Sequence, residues 1–595
     1  MLFINYLCVL LSSGEDIMGL KRDLIVLSAM ILTLVTFTLA WSINDSSIDY
    51  SSAEAIDVGA QTAVAIIPNP FIAQGNHQIA LTVTLQNSAI TSKTVTMYIY
   101  PLDSNGDVIS GCTPENVTEA DIVISAGGTS VFSYTFSKTY LRFEIKAFQI
   151  ILDDTTSGIL QSVTFNEKGT ANAPKAIVAY TNATVYPDYR MYELSWSAER
   201  KANIAATSST QIAEVRVAYN PVTLMRDTMV VVSLNTAGYI DGYTYDGSTW
   251  TMTNLGRMGT FVQSGTRPFD VAYENSTGRA VVVYNNQGTN GARDLAYRIW
   301  DGQNWSVEAY IDDTSSSSKR TYYWVQLASK MTGGSTEIAL VGLNSVRYSN
   351  AWIWSGSSWG TMQALNDASN LVTSGLYEGC AVAYEYTTGD LVALSSSGSN
   401  VRYYKYTGSW SAVTSLAMGS GNVRYMTLKS HGVASSNRMM LLTLDSNTDI
   451  YARSWDGSSW GASTVLDATV ASNTRRCIDG DWEPTGTKFI AVGGDSAVTS
   501  ISYKTWTPAS GWSPSISGSW STFAGLTKSQ YWIQVRKNPK AADPMVLIGT
   551  VDFDSDLVIT TWTGSAMSNQ IEATANGVST FESFDIEFTW PEPVS

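Results

Sequence analysis

The sequence predicts an all-β chain dominated by an eight-bladed β-propeller over residues 171–595, preceded by a smaller β-sandwich and an apolar N-terminal helix. Three observations predict it. A unit of aromatic residue, tight glycine turn and tryptophan recurs about every fifty residues, the length of a four-stranded blade. The stretches between these units alternate apolar and polar residues with period two, and no helical period competes with them. The last segment has the pattern of a first strand yet no blade follows it.

Composition narrows the class. A chain of 595 residues is too long for one compact core, so two or more domains are expected. Aromatics are 11% and charged residues 15%, the reverse of the balance that keeps a chain disordered. The net charge of −16 repels phosphate backbones, so nucleic acid is not an expected partner. Four cysteines without a CxxC pair predict neither a thiolate metal site nor a disulfide framework. Only two histidines, His77 and His431, leave little for imidazole acid–base chemistry.

Residues 1–43 read as an export segment. Lys21 and Arg22 precede the uncharged run 24–40, which ends on the small residue Ala40. That is the order of a secretory signal, and 17 apolar residues also approach a bilayer span. Cleavage would release the chain; retention would make 24–40 a membrane anchor with everything after Trp41 outside. A pilin-type filament subunit needs a small residue where Asp23 stands. An extracellular or cell-surface location follows in either case, with which the sequons at Asn44, Asn116, Asn182, Asn275 and Asn304 agree.

Residues 44–60 are polar and read as a stalk. Over 61–170, strands are expected at 78–87, 94–103, 120–126, 129–136 and 141–152, an immunoglobulin-like sandwich without the Cys–Trp–Cys signature. Asp103, Asn105 and Asp107 alternate like a calcium loop, but Val108 stands where glycine is required and Pro114 at position twelve, which leaves a plain turn.

The propeller repeat is clearest in YDGSTW (245–250), WDGQNW (300–305), WSGSSW (354–359), YTGSW (406–410) and WDGSSW (455–460). Weaker copies lie at 506–512 and 562–567, and Trp196 is expected to lead the first copy. Residues 267–305 hold three strands before the turn and a fourth follows it, the grammar of a blade. KAIVAYTNAT and RMYELSW supply second and third strands with no first, and 583–593 supplies the missing one. Seven whole units and this composite make eight blades, and the closure removes sheet edges that invite aggregation.

The Asp-Gly-x-x-Trp turns resemble a shortened Asp-box, S-x-D-x-G-x-T-W, of the sialidases, with one residue missing between Asp and Gly. The resemblance covers about residues 175–592. It implies that Asp246, Asp301 and Asp456 accept backbone N–H groups and that Trp250, Trp305, Trp359 and Trp460 plug between blades. In that family the motif is structural and away from the active face, so no catalytic role is implied. The turns are also similar to those of propeller lectins, whose blade interfaces repeat one sugar-binding set; no such repeated polar set stands here.

The expected ligand face is the one formed by the fourth-to-first and second-to-third strand loops. The positions at the starts of first strands are Arg267, Arg320, Glu378, Arg424, Arg476, Lys528 and Glu582. Converging guanidiniums suit a carboxylate or sulfate, as on an acidic sugar. Glu378 and Glu582 are carboxylates at this rim, but nothing assigns either an acid or a nucleophile role. Asp552, Asp554 and Asp556 form a run that either caps a hairpin or holds calcium; no other cofactor is expected. The leading expectation is an extracellular adhesion or binding protein for carbohydrate or a surface protein, with the sandwich as spacer. The alternatives are a sialidase-like enzyme and a self-assembling surface-layer or filament subunit.

Overall fold

In the computed structural model, only backbone strands are described between residues 42 and 168; from 176 to 588 both backbone and side chains are described, apart from loop segments such as 367–375 and 514–520. The apolar segment 24–40 and the expected N-terminal helix lie outside the described residues. Among those described, no helix is long and apolar enough to cross a membrane.

Two antiparallel sheets occupy residues 42–168. One runs Ser42–Asn44, Ser47–Glu54, Ile159–Lys168, Gln78–Asn87, Thr129–Thr135; the other runs Ala63–Pro68, Ala147–Asp153, Lys93–Leu102, Glu115–Ile124. Ser47–Glu54, in the segment expected as a stalk, pairs with Ile159–Lys168. Whether the two sheets pack as an immunoglobulin-like sandwich lies outside the described residues.

The propeller has eight antiparallel sheets in sequence, each ordered first to fourth strand from the axis outward. Blade 1 is the composite. Phe584–Phe588 supplies its first strand beside Ala176–Thr181, and Pro187–Tyr192 and Arg200–Lys201 complete it. Ile177 and Ile586 are fully buried in this closure. Blades 2 to 8 have first strands Ile212–Tyr219, Phe269–Tyr273, Tyr322–Ser329, Cys380–Tyr384, Val423–Ser430, Ile478–Trp482 and Gln530–Lys537. In blade 7 both Gly511–Ser513 and Ser521–Ala524 pair with the third strand, Ser500–Thr507.

The turn units behave as their residues require. Gly302, Gly356, Gly408 and Gly457 have φ between 93° and 103°, a region that only glycine enters freely. Asp301 Oδ1 accepts the N–H groups of Gln303 and Asn304 at 2.8 and 2.7 Å, Asp456 Oδ1 those of Ser458 and Ser459 at 2.8 Å, and Asp246 Oδ1 that of Thr249 at 2.7 Å. The N–H groups of Ser459 and Ser458 hold the Asp456 carboxyl well below its ordinary range. One marker is corrected. Trp196 bridges Tyr192 as Trp410 bridges Tyr406, so Tyr192 leads the first unit and Trp196 is its turn tryptophan.

The eight blades are four pairs. First strands of blades 2, 4, 6 and 8 are eight residues long and carry a bulge at one position, Ile212/Glu214, Tyr322/Trp324, Val423/Tyr425 and Gln530/Trp532. Those of blades 1, 3, 5 and 7 are five residues long and regular. Each odd blade binds the even blade after it through equivalent groups. Asp585, Asp270 and Asp479 accept the N–H of Val217, Leu327 and Val535 at 3.0, 2.8 and 2.9 Å. Tyr189, Tyr297 and Tyr403 pack on Trp250, Trp359 and Trp460 with ring centroids 5.3 to 6.1 Å apart. Buried Glu274, Glu385 and Glu483 accept the indole N–H of Trp354, Trp455 and Trp562 at 2.7, 2.7 and 3.0 Å.

Candidate functional site

The starts of the odd first strands bring Glu582, Arg267, Glu378 and Arg476 to the axis, two blades apart each. Their charges alternate, and the four close into a ring. Arg267 meets Glu378 at 2.7 Å and Glu582 at 3.3 Å; Arg476 meets Glu378 at 3.4 Å and also pairs with Glu582. Arg216, from blade 2, is a third guanidinium on Glu582, and Gln534 donates to it at 2.9 Å. All five charged side chains are at most 7% exposed. One layer further along the axis, Asp585 takes Arg216 at 3.5 Å and Arg536 at 3.2 Å, and Asp479 takes Lys429 at 3.5 Å.

Burial raises a carboxyl pKa and nearby guanidiniums lower it. On Glu582, Arg216, Arg476 and Arg267 overcome burial and hold the carboxyl well below its ordinary range. On Glu378 burial prevails over Arg267 and Arg476, and the carboxyl sits above its ordinary range. Glu214 stands at the bulge position of blade 2, where blades 4, 6 and 8 place Trp324, Tyr425 and Trp532. It is 1% exposed, and neither carboxyl oxygen has a hydrogen-bond partner. Burial pushes its carboxyl well above its ordinary range, against the pull of Arg216.

Four of the seven expected rim residues therefore meet, as a buried, internally neutralised plug. A site of open guanidiniums would need unpaired charge there, and the two carboxylates take it. The bulge displaces the even-blade positions from the axis. Arg320 pairs with Asp313 at 3.2 Å and lies over Tyr348, while Arg424 bonds Asn473 and lies over Tyr377. Lys528 lies outside the described residues. Arg216 was missed because it sits mid-strand, five residues into blade 2, where alternation marks it only as one polar position among several.

Around the plug, the face of the fourth-to-first and second-to-third loops carries five arginine–tyrosine stacks: Arg257 on Tyr239 at 4.7 Å, Arg293 on Tyr310 at 4.3 Å, Arg320 on Tyr348 at 4.6 Å, Arg424 on Tyr377 at 4.6 Å and Arg475 on Tyr531 at 6.0 Å. Only Arg320 among these has an ion-pair partner among the described residues. On the opposite face Arg279, Lys330 and Lys405 each pair with a carboxylate, and Lys488 donates to the Gly564 carbonyl.

Of the two runs weighed for calcium, 103–107 lies outside the described residues, and in the other Asp552 caps a hairpin. Asp552 Oδ1 accepts the N–H of Asp554 and Asp556, as Asn235, Asn344 and Asp445 do for the same hairpin in blades 2, 4 and 6. Two of those four capping residues are asparagine, so the turn needs an acceptor and not a charge. Asp294, Asp312 and Asp313 have carboxylate oxygens within 4.8 Å of one another, with Asp294 accepting the N–H of Asp313 and Arg320.

No protein-family model matches the chain, and no curated protein does. Solved structures are similar to it at low identity. A lectin from Burkholderia pseudomallei is similar over 60% of this chain and 98% of its own, at 10% identity and a TM-score of 0.44. A lectin from Aleuria aurantia, in complex with Fucα1-6GlcNAc, is similar over 53% and 96%, at 15% identity and 0.30. A sialidase from Streptococcus pneumoniae is similar over 88% and 99%, at 9% identity and 0.33. These are likenesses between β-propellers.

Proposed function

We propose that the chain is an extracellular binding protein, anchored to or released from a membrane, whose propeller recognises carbohydrate through the loop face that carries the arginine–tyrosine stacks. The observation that carries this reading is the segregation of those stacks. Tyrosine and arginine are the residues that dominate recognition surfaces, because each offers a large rigid plane with polar edges. Here five such planes share one face, four of their cations have no ion-pair partner among the described residues, and the whole chain is acidic. Residues 61–170 then serve as a spacer. A glycan array of the full-length chain tests it, beside a Tyr310→Ala/Tyr348→Ala variant. Binding that the variant loses is the expected outcome; no glycan bound by the unmodified chain refutes the reading.

A hydrolytic reading has one observation in its favour. Glu378 and Glu582 are pushed in opposite directions, as the acid and the base of a glycosidase pair are. Against it, both are at most 3% exposed and share two arginines, so a substrate would have to displace the ring. Release of reducing sugar from any glycan bound on the array, abolished by Glu378→Gln, is the outcome that would favour it.

A further inference from the structure

We infer that the axial mouth of the loop face holds a subsite for one oxyanion, a carboxylate or sulfate borne on a saccharide, with Arg475 and Arg424 as its cations. The inference rests on the reading of that face as carbohydrate-binding and deepens it. Arg475 precedes the first strand of blade 7, yet its guanidinium reaches Gly265, which precedes blade 3 on the other side of the axis. A Cβ on Gly265 would lie 3.3 Å from Arg475 Nη1, and its φ of +79° is one that glycine adopts at little cost and other residues do not. Arg475 therefore spans the mouth above the ion ring.

Aromatic contacts run from this arginine and from Arg424. Arg475 lies over Tyr531, which meets the exposed ring of Phe553 at 5.4 Å. On the other flank Arg424 lies over Tyr377, and Tyr377 meets Tyr425 edge-on at 5.6 Å. Tyr425 is fully buried, and its hydroxyl has no hydrogen-bond partner. Arg475 Nε and Arg424 Nε are likewise buried without one. A buried donor left unmade is costly, so these three, on the two arginines and on the tyrosine next to Tyr377, point to a group that satisfies them when bound. Two guanidiniums with no carboxylate within 4 Å among the described residues set its sign as negative, and the planar fork suits a carboxylate or sulfate. The ring beneath does not compete for it, since Arg267 and Arg476 are already matched to Glu378 and Glu582.

Titration calorimetry of the full-length chain tests the inference, with one oligosaccharide backbone in neutral, carboxylated and sulfated forms. The variants are Arg475→Gln, Arg475→Lys, Arg424→Gln and, on the opposite face, Arg438→Gln. The acidic forms are expected to bind more tightly than the neutral one, and more weakly at about 1 M than at about 0.1 M salt. Arg475→Gln should weaken acidic binding by about tenfold or more and leave neutral binding within about twofold, since a charge-assisted bond is lost. Arg475→Lys should fall between, and Arg438→Gln should match the unmodified chain. An unchanged melting temperature shows that each variant folds. Neutral and acidic forms bound equally, with no effect of either arginine, overturns the inference and leaves the reading of the face intact. No saccharide bound at all overturns that reading, and binding of an acidic peptide in place of any saccharide overturns both.

Discussion

Replacing Glu582 by glutamine tests whether the axis is a plug. Glu582 is the shared partner of Arg216, Arg267 and Arg476 and is 1% exposed. In the ring the guanidiniums of Arg216, Arg267 and Arg476 meet the carboxylates of Glu582 and Glu378; the substitution leaves Glu378 alone against the three. Breaking a buried pair by removing one partner costs about 3–5 kcal/mol, because the remaining charges keep their desolvation penalty. Unfolding entropy of about 2.1 cal/mol/K per residue over roughly 400 residues is about 0.8 kcal/mol/K, so the melting temperature should fall by about 4–6 °C. Scanning calorimetry reads this directly. The pH dependence has a fixed sign. A carboxyl held below its unfolded value stabilises above that value and loses the contribution as pH falls, so the gap between the two proteins should close below about pH 4. Adding Arg476→Gln to the variant returns the excess to one cation, as in the unmodified ring, and should return part of the loss. A melting temperature within about 1 °C of the unmodified chain would refute the argument, because an open, water-filled channel screens such pairs to little net worth.

Two further outcomes follow from the same geometry. Glu214→Gln should keep or raise the melting temperature at pH 7. The Glu214 carboxyl is raised, so its contribution is present below the unfolded value and lost as pH rises toward the folded one; glutamine should remove that decline, and a fall of several degrees would show that Glu214 is ionised and matched after all. Ending the chain after residue 583 removes the strand Phe584–Phe588, which pairs with Ala176–Thr181 and buries Phe584, Ile586 and Phe588; it should abolish the cooperative transition, and an unaltered calorimetric trace would disprove closure by this strand.

The architecture was legible because its signals are local. Each blade announces itself by an aromatic, a glycine that needs positive φ and a tryptophan, and the composite blade by strands lacking partners in sequence. Where the local signal was doubled, reading slipped. Tyr192 and Trp196 are four apart like Tyr406 and Trp410, and the stronger aromatic was taken to lead. The site was less legible, because register at the axis depends on the bulge. Arg320 and Arg424 occupy the sequence positions of Arg267 and Arg476, yet the extra residue at Tyr322/Trp324 and Val423/Tyr425 turns aromatic rings to the axis in their place. Charge pairing across the ring joins residues 98 to 315 apart in sequence, and no local pattern records it.

The pairing of blades explains why the ring can close. Had all eight first strands presented charge to the axis, eight groups would compete in one buried cross-section. Alternation places charge on blades 1, 3, 5 and 7 and, in three of the four blades between, an aromatic ring. Each of the four charged groups then has two neighbours of opposite sign, and Arg267 also lies 5.7 Å above the Trp324 ring. Blade 2 breaks the rule with Glu214, and blade 2 also supplies Arg216, a further guanidinium on Glu582. The two departures compensate. The extra cation pairs with Glu582, whose carboxyl the guanidiniums hold below its ordinary range, while burial raises that of Glu214 beside it. On the loop face, by contrast, Arg424 and Arg475 have no carboxylate partner among the described residues, and it is there that the proposed acidic ligand would supply the missing charge.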